Sequence, residues 1–277
     1  MVSSRILVAT DLSARCDRAV DRAFSLAEQL SAELTVLHVA SGDRADNGRD
    51  ARLRDELGRQ CVGRASLDQL LIERGPVPAT IVRVARERRS DLILTGVARF
   101  NDVRDHVVGT AVEHLIRCTN IPFLIVKQRA TGPYGRLLAP VDFGPASRAA
   151  LAYAFALFPA ADFHAVHVVP PAFPARLDQT ELFRLGRSEA ERKIEPFLDK
   201  LPFDLRSSLQ LSILSGEINR EIRRSAREWA ADMLVLGAED HSDLALATIG
   251  SRTIDLLRCE PADTLVVRAV QPNQRAV

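Results

Sequence analysis

Arg89–Gly96 reads RSDLILTG and Ala230–Gly237 reads AADMLVLG. In each, an Asp introduces four residues that end on glycine, and the four (LILT, MLVL) are apolar on both faces of a pleat. A short run of that kind, bounded by turn residues, is the pattern of a strand buried within a parallel sheet. The two runs lie 141 residues apart, and the same interval separates GTAVEHLIRC, from Gly109, and GSRTIDLLRC, from Gly250. Upstream, ILVATDLSA returns as LLAPVDFGPA, pairing Asp11 with Asp142, and the LHV of Leu37–Val39 returns as the VHV of Val166–Val168. The chain is therefore a tandem repeat, and its second copy has gained length between the second and third strands.

Short apolar segments alternate with longer amphipathic ones in both copies, the signature of βαβ units and a parallel sheet. Strands are predicted at Arg5–Thr10, Leu34–Val39, Leu67–Glu73, Leu92–Thr95 and Phe123–Val126, and again at Leu137–Val141, His164–Val168, Leu209–Leu214, Met233–Leu236 and Thr264–Val267. Between the first two, Ser13–Leu30 carries Ala19, Ala23, Leu26, Ala27 and Leu30 at spacings of three and four, one apolar face that can cover a sheet. Gly132 and Pro133 break the connection between the copies, giving domains 1–130 and 131–277. The Pro-rich run from Pro170 to Arg176 falls inside the second copy and reads as an ordered loop.

The chain has 277 residues, 47% hydrophobic and 26% charged, ample for two folded domains. Lys and Arg number 37 against 36 Asp and Glu, so no overall field draws it to nucleic acid or an anionic membrane. No run approaches the roughly 20 apolar residues of a membrane span. The opening residues enter a strand at once, without the apolar region and small-residue cleavage site of a secretory signal, and Cys16, Cys61, Cys118 and Cys259 lack the spacing of a zinc site or disulfide scaffold. A cytoplasmic protein is expected. His164 and His167, three apart on one strand, point to opposite faces and do not form a shared metal site.

Ligands of an open parallel sheet sit at the carboxyl ends of its strands, which directs attention to Ala9, Asp11, Val39 and Gly96 in the first copy and to Pro140, Asp142, Val168 and Gly237 in the second. Gly109-Thr110 and Gly250-Ser251 each open a helix. They either offer N–H groups, a hydroxyl and the positive dipole end to a phosphate or are simply N-caps. Asp11 and Asp142 either hydrogen-bond a ligand, act catalytically, or brace the next loop.

Gly96-x-x-Arg99, nine intervening residues and then Gly109-Thr110, and Gly237-x-x-Asp240 with the same nine before Gly250-Ser251, resemble the glycine-loop register of ATP-binding universal stress proteins. VATDLS, APVDFG, Gly75 and Gly216 also fit that family, and the resemblance spans both halves nearly end to end. It implies two doubly wound α/β domains of strand order 3-2-1-4-5, packed as an internal pseudo-dimer through their fifth strands, in a monomer or a homodimer. It also implies ATP or a related nucleotide as ligand, with or without magnesium, and a stress-associated sensor or adaptor acting on an unidentified protein partner rather than an efficient enzyme. The alternatives are slow metal-dependent ATP hydrolysis and a ligand-free interaction module. Both copies depart from the motif at its second glycine, where a side chain crowds and stiffens the loop. Charge alone favours the first copy, since Arg99 attracts phosphate and Asp240 repels it. The SGG-type loop of related adenylating enzymes is absent.

Overall fold

The computed structural model describes residues 4–14, 16–40, 47–61, 63, 69–96, 118–171, 179–238, 256 and 261–269. The chain divides into two compact units, Met1–Pro133 and Tyr134–Val277. The first contains β1 (Arg5–Thr10), α1 (Asp17–Leu30), β2 (Glu33–Ala40), α2 (Asn47–Gln60), β3 (Leu70–Arg74), α3 (Val77–Glu87), β4 (Leu92–Gly96) and β5 (Phe123–Val126). Its strands run parallel in the order β3-β2-β1-β4-β5. The second contains β6 (Arg136–Pro140), α4 (Pro145–Leu157), β7 (Asp162–Val169), α5 (Gln179–Leu198), α6 (Phe203–Ser208), β8 (Gln210–Ser215), α7 (Ile218–Glu228), β9 (Met233–Ala238) and β10 (Asp263–Arg268). Its parallel order is β8-β7-β6-β9-β10. Each unit is thus the doubly wound 3-2-1-4-5 sheet that the resemblance implies, and β1 and β6 are central in their sheets.

The extra length of the second copy is a longer helix, α5 with 20 residues against 14 in α2, followed by the short α6. β3 and β8 end one residue later than expected, at Arg74 and Ser215. The helix predicted from Ser13 begins at Asp17, because the residues before it form a turn that caps β1.

The core follows from the sequence pattern. Leu92–Gly96 is buried throughout, as a strand covered on both faces requires, and α1 turns Ala19, Ala23 and Leu26 inward at spacings of four and three. Gly75 and Gly216 precede α3 and α7 with φ of 130° and 146°, a region that side chains rarely enter. A Cβ there would stand 2.9 Å from Thr80 Oγ1 and 2.7 Å from Glu221 Cγ. α3 then starts with Pro78 in its first turn, where a missing N–H costs nothing. α7 instead uses Glu217, whose carboxylate accepts from the N–H groups of Asn219 (3.0 Å) and Arg220 (2.7 Å). Those two bonds, Asn219 first, hold its carboxyl below the usual carboxylate range.

A second repeated device ties the central strand to its neighbour. Asp91, before β4, accepts from Arg5 N–H at 2.8 Å. Asp232, before β9, accepts from both Gly135 and Arg136 N–H at 2.9 and 2.8 Å. Asp232→Ala is expected to cost about 1–2 kcal/mol, because it leaves two backbone N–H groups without their acceptor. Urea unfolding checks this, and an unchanged midpoint would contradict it.

Candidate functional site

β1 and β6 end in the same turn. Leu12 and Phe143 follow Asp11 and Asp142 with φ of 60° and 66°, a left-handed conformation that costs a non-glycine residue roughly 1–2 kcal/mol. The carboxylates hold it: Asp11 Oδ1 accepts from Ser13 N–H at 2.9 Å and Asp142 Oδ1 from Gly144 N–H at 2.8 Å. Ser147 completes the second turn by donating to Asp142 Oδ1 (2.6 Å) and accepting from Asp142 N–H (3.2 Å). In the first repeat Cys16 stands in that position, and its thiol meets the Asp11 N–H and carboxylate. Burial pushes the Cys16 thiol up to about 11, the Asp11 N–H opposes the rise and the Asp11 carboxylate reinforces it. The loop-bracing role left open by the sequence is therefore occupied in both repeats. Asp142 Oδ2 has no partner among the described residues.

One strand over, a histidine reaches back to the same turn. His38 Nδ1 lies 2.9 Å from the Thr10 carbonyl and His167 Nδ1 lies 2.8 Å from the Val141 carbonyl. A carbonyl only accepts, so Nδ1 carries the proton and Nε2 of the neutral ring is an acceptor. His164 serves a different contact, Nε2 to Ser212 Oγ at 2.9 Å, while burial lowers its pKa. Among the described residues no group of three His, Cys, Asp or Glu side chains could hold a metal ion.

In the second unit these features frame a cleft of ≈ 450 Å³ at the carboxyl ends of β6, β7 and β9. Pro140, Asp142, Val168 and Gly237 all line it, together with His167 and with Glu189 and Lys193 of α5. α5 reaches this position because Gly186 lies against β7, where a Cβ would stand 2.6 Å from Val169 Cγ1. Lys193 Nζ donates to Glu189 Oε1 at 2.6 Å with both side chains more than half exposed. That partner holds the Glu189 carboxyl below its usual range. Gly237 has a packing reason of its own: a Cβ would meet the Ala146 carbonyl carbon at 2.4 Å and Ser147 N at 2.7 Å. The start of α4 thus rests directly on the end of β9.

In the first unit Ala9 pairs with Leu37 and Thr95, so Ala9, Val39 and Gly96 share the carboxyl ends of adjacent strands with Asp11. There α2 closes in differently: Thr10 Oγ1 donates to Gln60 Oε1 at 3.2 Å and the Gln60 amide donates to Asp17. Arg99, Gly109, Thr110, Asp240, Gly250 and Ser251 lie outside the described residues. Sequence reasoning did not single out His38, His167, Ser147, Glu189 or Lys193 as parts of a site. The histidines recur at the middle of LHV and VHV and Ser147 takes the place of Cys16, which are signals of a shared position. Glu189 and Lys193 lie on α5, which differs in length from its counterpart α2, so no repeated residue marks them.

The universal stress protein family model matches the chain twice, over residues 3–127 and 133–268. Among solved structures, a functionally unknown protein from Pseudomonas aeruginosa PAO1 aligns with a TM-score of 0.66 at 18% identity, covering 97% of this chain and 93% of its own. A universal stress protein from Archaeoglobus fulgidus DSM 4304 aligns with a TM-score of 0.63 at 18% identity, covering 96% of both chains. No curated protein matches the chain. No helix among the described residues is long and apolar enough to cross a membrane.

Two outcomes follow from this geometry. Gly237→Ala drives a methyl into backbone that cannot rotate away, so it is expected to lower stability by about 1–3 kcal/mol; an unchanged denaturation midpoint would show that α4 can move freely off β9. With its thiol pushed up to about 11, Cys16 is expected to resist iodoacetamide at pH 8 in the native protein and to react once unfolded. Mass mapping that finds rapid native labelling would contradict this.

Proposed function

The chain belongs to the universal stress protein family, and from that premise we propose that its second repeat binds a nucleotide, so that occupancy of the cleft tunes a stress-associated sensor or adaptor. One observation carries this reading: four strand-end residues singled out by sequence, Pro140, Asp142, Val168 and Gly237, line a single cleft together with a lysine. Its volume, ≈ 450 Å³, lies within the roughly 300–1,000 Å³ of small-ligand sites. Val141, Val168, Ile222 and Leu236 supply apolar wall for a base. Asp142 Oδ2 can accept from a sugar hydroxyl or take part in holding magnesium, and Lys193 can turn from Glu189 to a phosphate. Sequence charge favours the first repeat; Lys193 gives the second a cation that its glycine loop, with Asp240, does not.

The roles assigned are binding roles. Asp142 is already engaged by Gly144 N–H and Ser147 Oγ, which suits a fixed acceptor better than a mobile proton carrier. In the first repeat the same reading assigns Ala9, Asp11, Val39 and Gly96 to a related cleft, with Arg99, Gly109 and Thr110 on the phosphate side. Gly250 and Ser251 are the corresponding phosphate-side residues of the second.

Calorimetric titration of ATP, with and without magnesium, tests the proposal. Lys193→Gln is expected to weaken binding by about 3- to 10-fold, the scale of one hydrogen bond to a charged group at a partly exposed site. Asp240→Gly is expected to tighten it by about 1–3 kcal/mol, because a repelling carboxylate and loop bulk are both removed. Absence of ATP binding to the wild type, or indifference to both substitutions, would overturn it.

A further inference from the structure

We propose that His167 Nε2 is the hydrogen-bond acceptor with which the second repeat's cleft reads an N–H or O–H donor of its ligand. The proposal rests on the nucleotide reading of this cleft and adds what that reading leaves unassigned: a neutral group that selects the nucleoside part. The argument begins at Val141, whose carbonyl receives the His167 ring at 2.8 Å. A backbone carbonyl has no proton to give, so in the neutral ring the bond fixes the proton on Nδ1 and leaves the lone pair on Nε2. Nε2 has no partner among the described residues, although His167 lines the cleft.

The ring is also held. Phe143 packs against it with centroids 4.6 Å apart, and Phe197 of α5 packs edge-on to Phe143 at 5.6 Å. Fixed tautomer and fixed ring together make a preorganised acceptor, which avoids the ordering cost of a free side chain on binding. The first repeat makes the same bond, His38 to the Thr10 carbonyl at 2.9 Å. The device therefore belongs to the repeated unit and does not depend on the packing peculiar to one copy. By contrast, His164 on the same strand has its Nε2 engaged with Ser212 and is not available to a ligand in this way.

The charged groups around the cleft divide the labour. Asp142, after β6, and Glu189 and Lys193, on α5, share the lining with His167. Lys193 can meet an anionic group, whereas Nε2 of a neutral His167 accepts a hydrogen bond. A ligand satisfying both carries phosphate at one end and amine or hydroxyl donors at the other, as a nucleoside phosphate does; inorganic polyphosphate has the charge without the donor.

Long-range proton–nitrogen correlation spectra of histidine-labelled full-length protein test this directly. The free protein is expected to show His167 as the Nδ1–H tautomer. Millimolar adenosine, which has donors and no phosphate, is expected to move the Nε2 resonance in the direction of hydrogen-bond acceptance, and inorganic tripolyphosphate to leave it in place. In His167→Asn the amide nitrogen stands where Nδ1 stood and preserves the bond to Val141 while removing the acceptor. This variant is expected to stay folded, to keep tripolyphosphate binding and to lose about five-fold in adenosine affinity. An Nε2–H tautomer, an Nε2 signal unmoved by adenosine, or wild-type adenosine affinity in His167→Asn would overturn the proposal. If adenosine moves Nε2 while ATP fails to bind by calorimetry, the phosphate part of the proposed function fails and the acceptor role of His167 stands.

Discussion

A central parallel strand paired on both sides is the constraint from which the rest of each unit follows. β1 lies between β2 and β4, and β6 lies between β7 and β9, so neither can leave the sheet sideways. Each must stop within a residue or two and turn upward into a helix. The Asp11 and Asp142 carboxylates make that stop by accepting the N–H two residues on, holding Leu12 and Phe143 in a strained left-handed conformation. Because every strand is parallel, all such exits gather at one end of the sheet. A crevice opens there beside the central strand, between helices that start from opposite faces. The site is a consequence of the topology, and its chemistry is decided by which side chains the exits carry.

The two repeats keep the framework and change the chemistry. Aspartate, left-handed residue, histidine-to-carbonyl bond, positive-φ glycine and strand-bracing aspartate are duplicated. Around them Cys16 replaces Ser147, Thr80 replaces Glu221 and Thr10 replaces Val141. The largest change is in the helix after the second strand. In the first repeat α2 brings Gln60 to the end of β1, filling hydrogen-bonding capacity from within. In the second, α5 brings Lys193 and Glu189 to the cleft, a pair whose partners solvent or a ligand can exchange. The turn after the central strand is thus the same in both repeats, and the helix that approaches it is not.

Much of this was legible in the sequence because burial leaves a pattern. LILT and MLVL are apolar on both faces, as covered strands are, and the intervals between repeated segments located their neighbours. Gly75 and Gly216 were readable as special positions, and the φ of 130° and 146° supplies the reason. Gly237 was readable as important for a different reason: it was assigned to the glycine loop, yet the nearest constraint on it is the backbone of Ala146 and Ser147. A close approach between elements far apart in sequence leaves no local trace. The same applies to Lys193, which reaches the cleft only because Gly186 lets α5 settle on Val169. His167 was visible as a residue but its tautomer was not, since that depends on a carbonyl 26 residues away.

The central claim is that a nucleotide occupies the crevice beside β6, and the most direct measurement is hydrogen–deuterium exchange of the intact protein with and without ATP and magnesium. The account predicts slowed exchange that includes the turn after Pro140, the end of β7 and the segment of α5 around Glu189 to Lys193. Unchanged exchange in all three segments at millimolar ATP, or protection appearing only elsewhere in the chain, would contradict it.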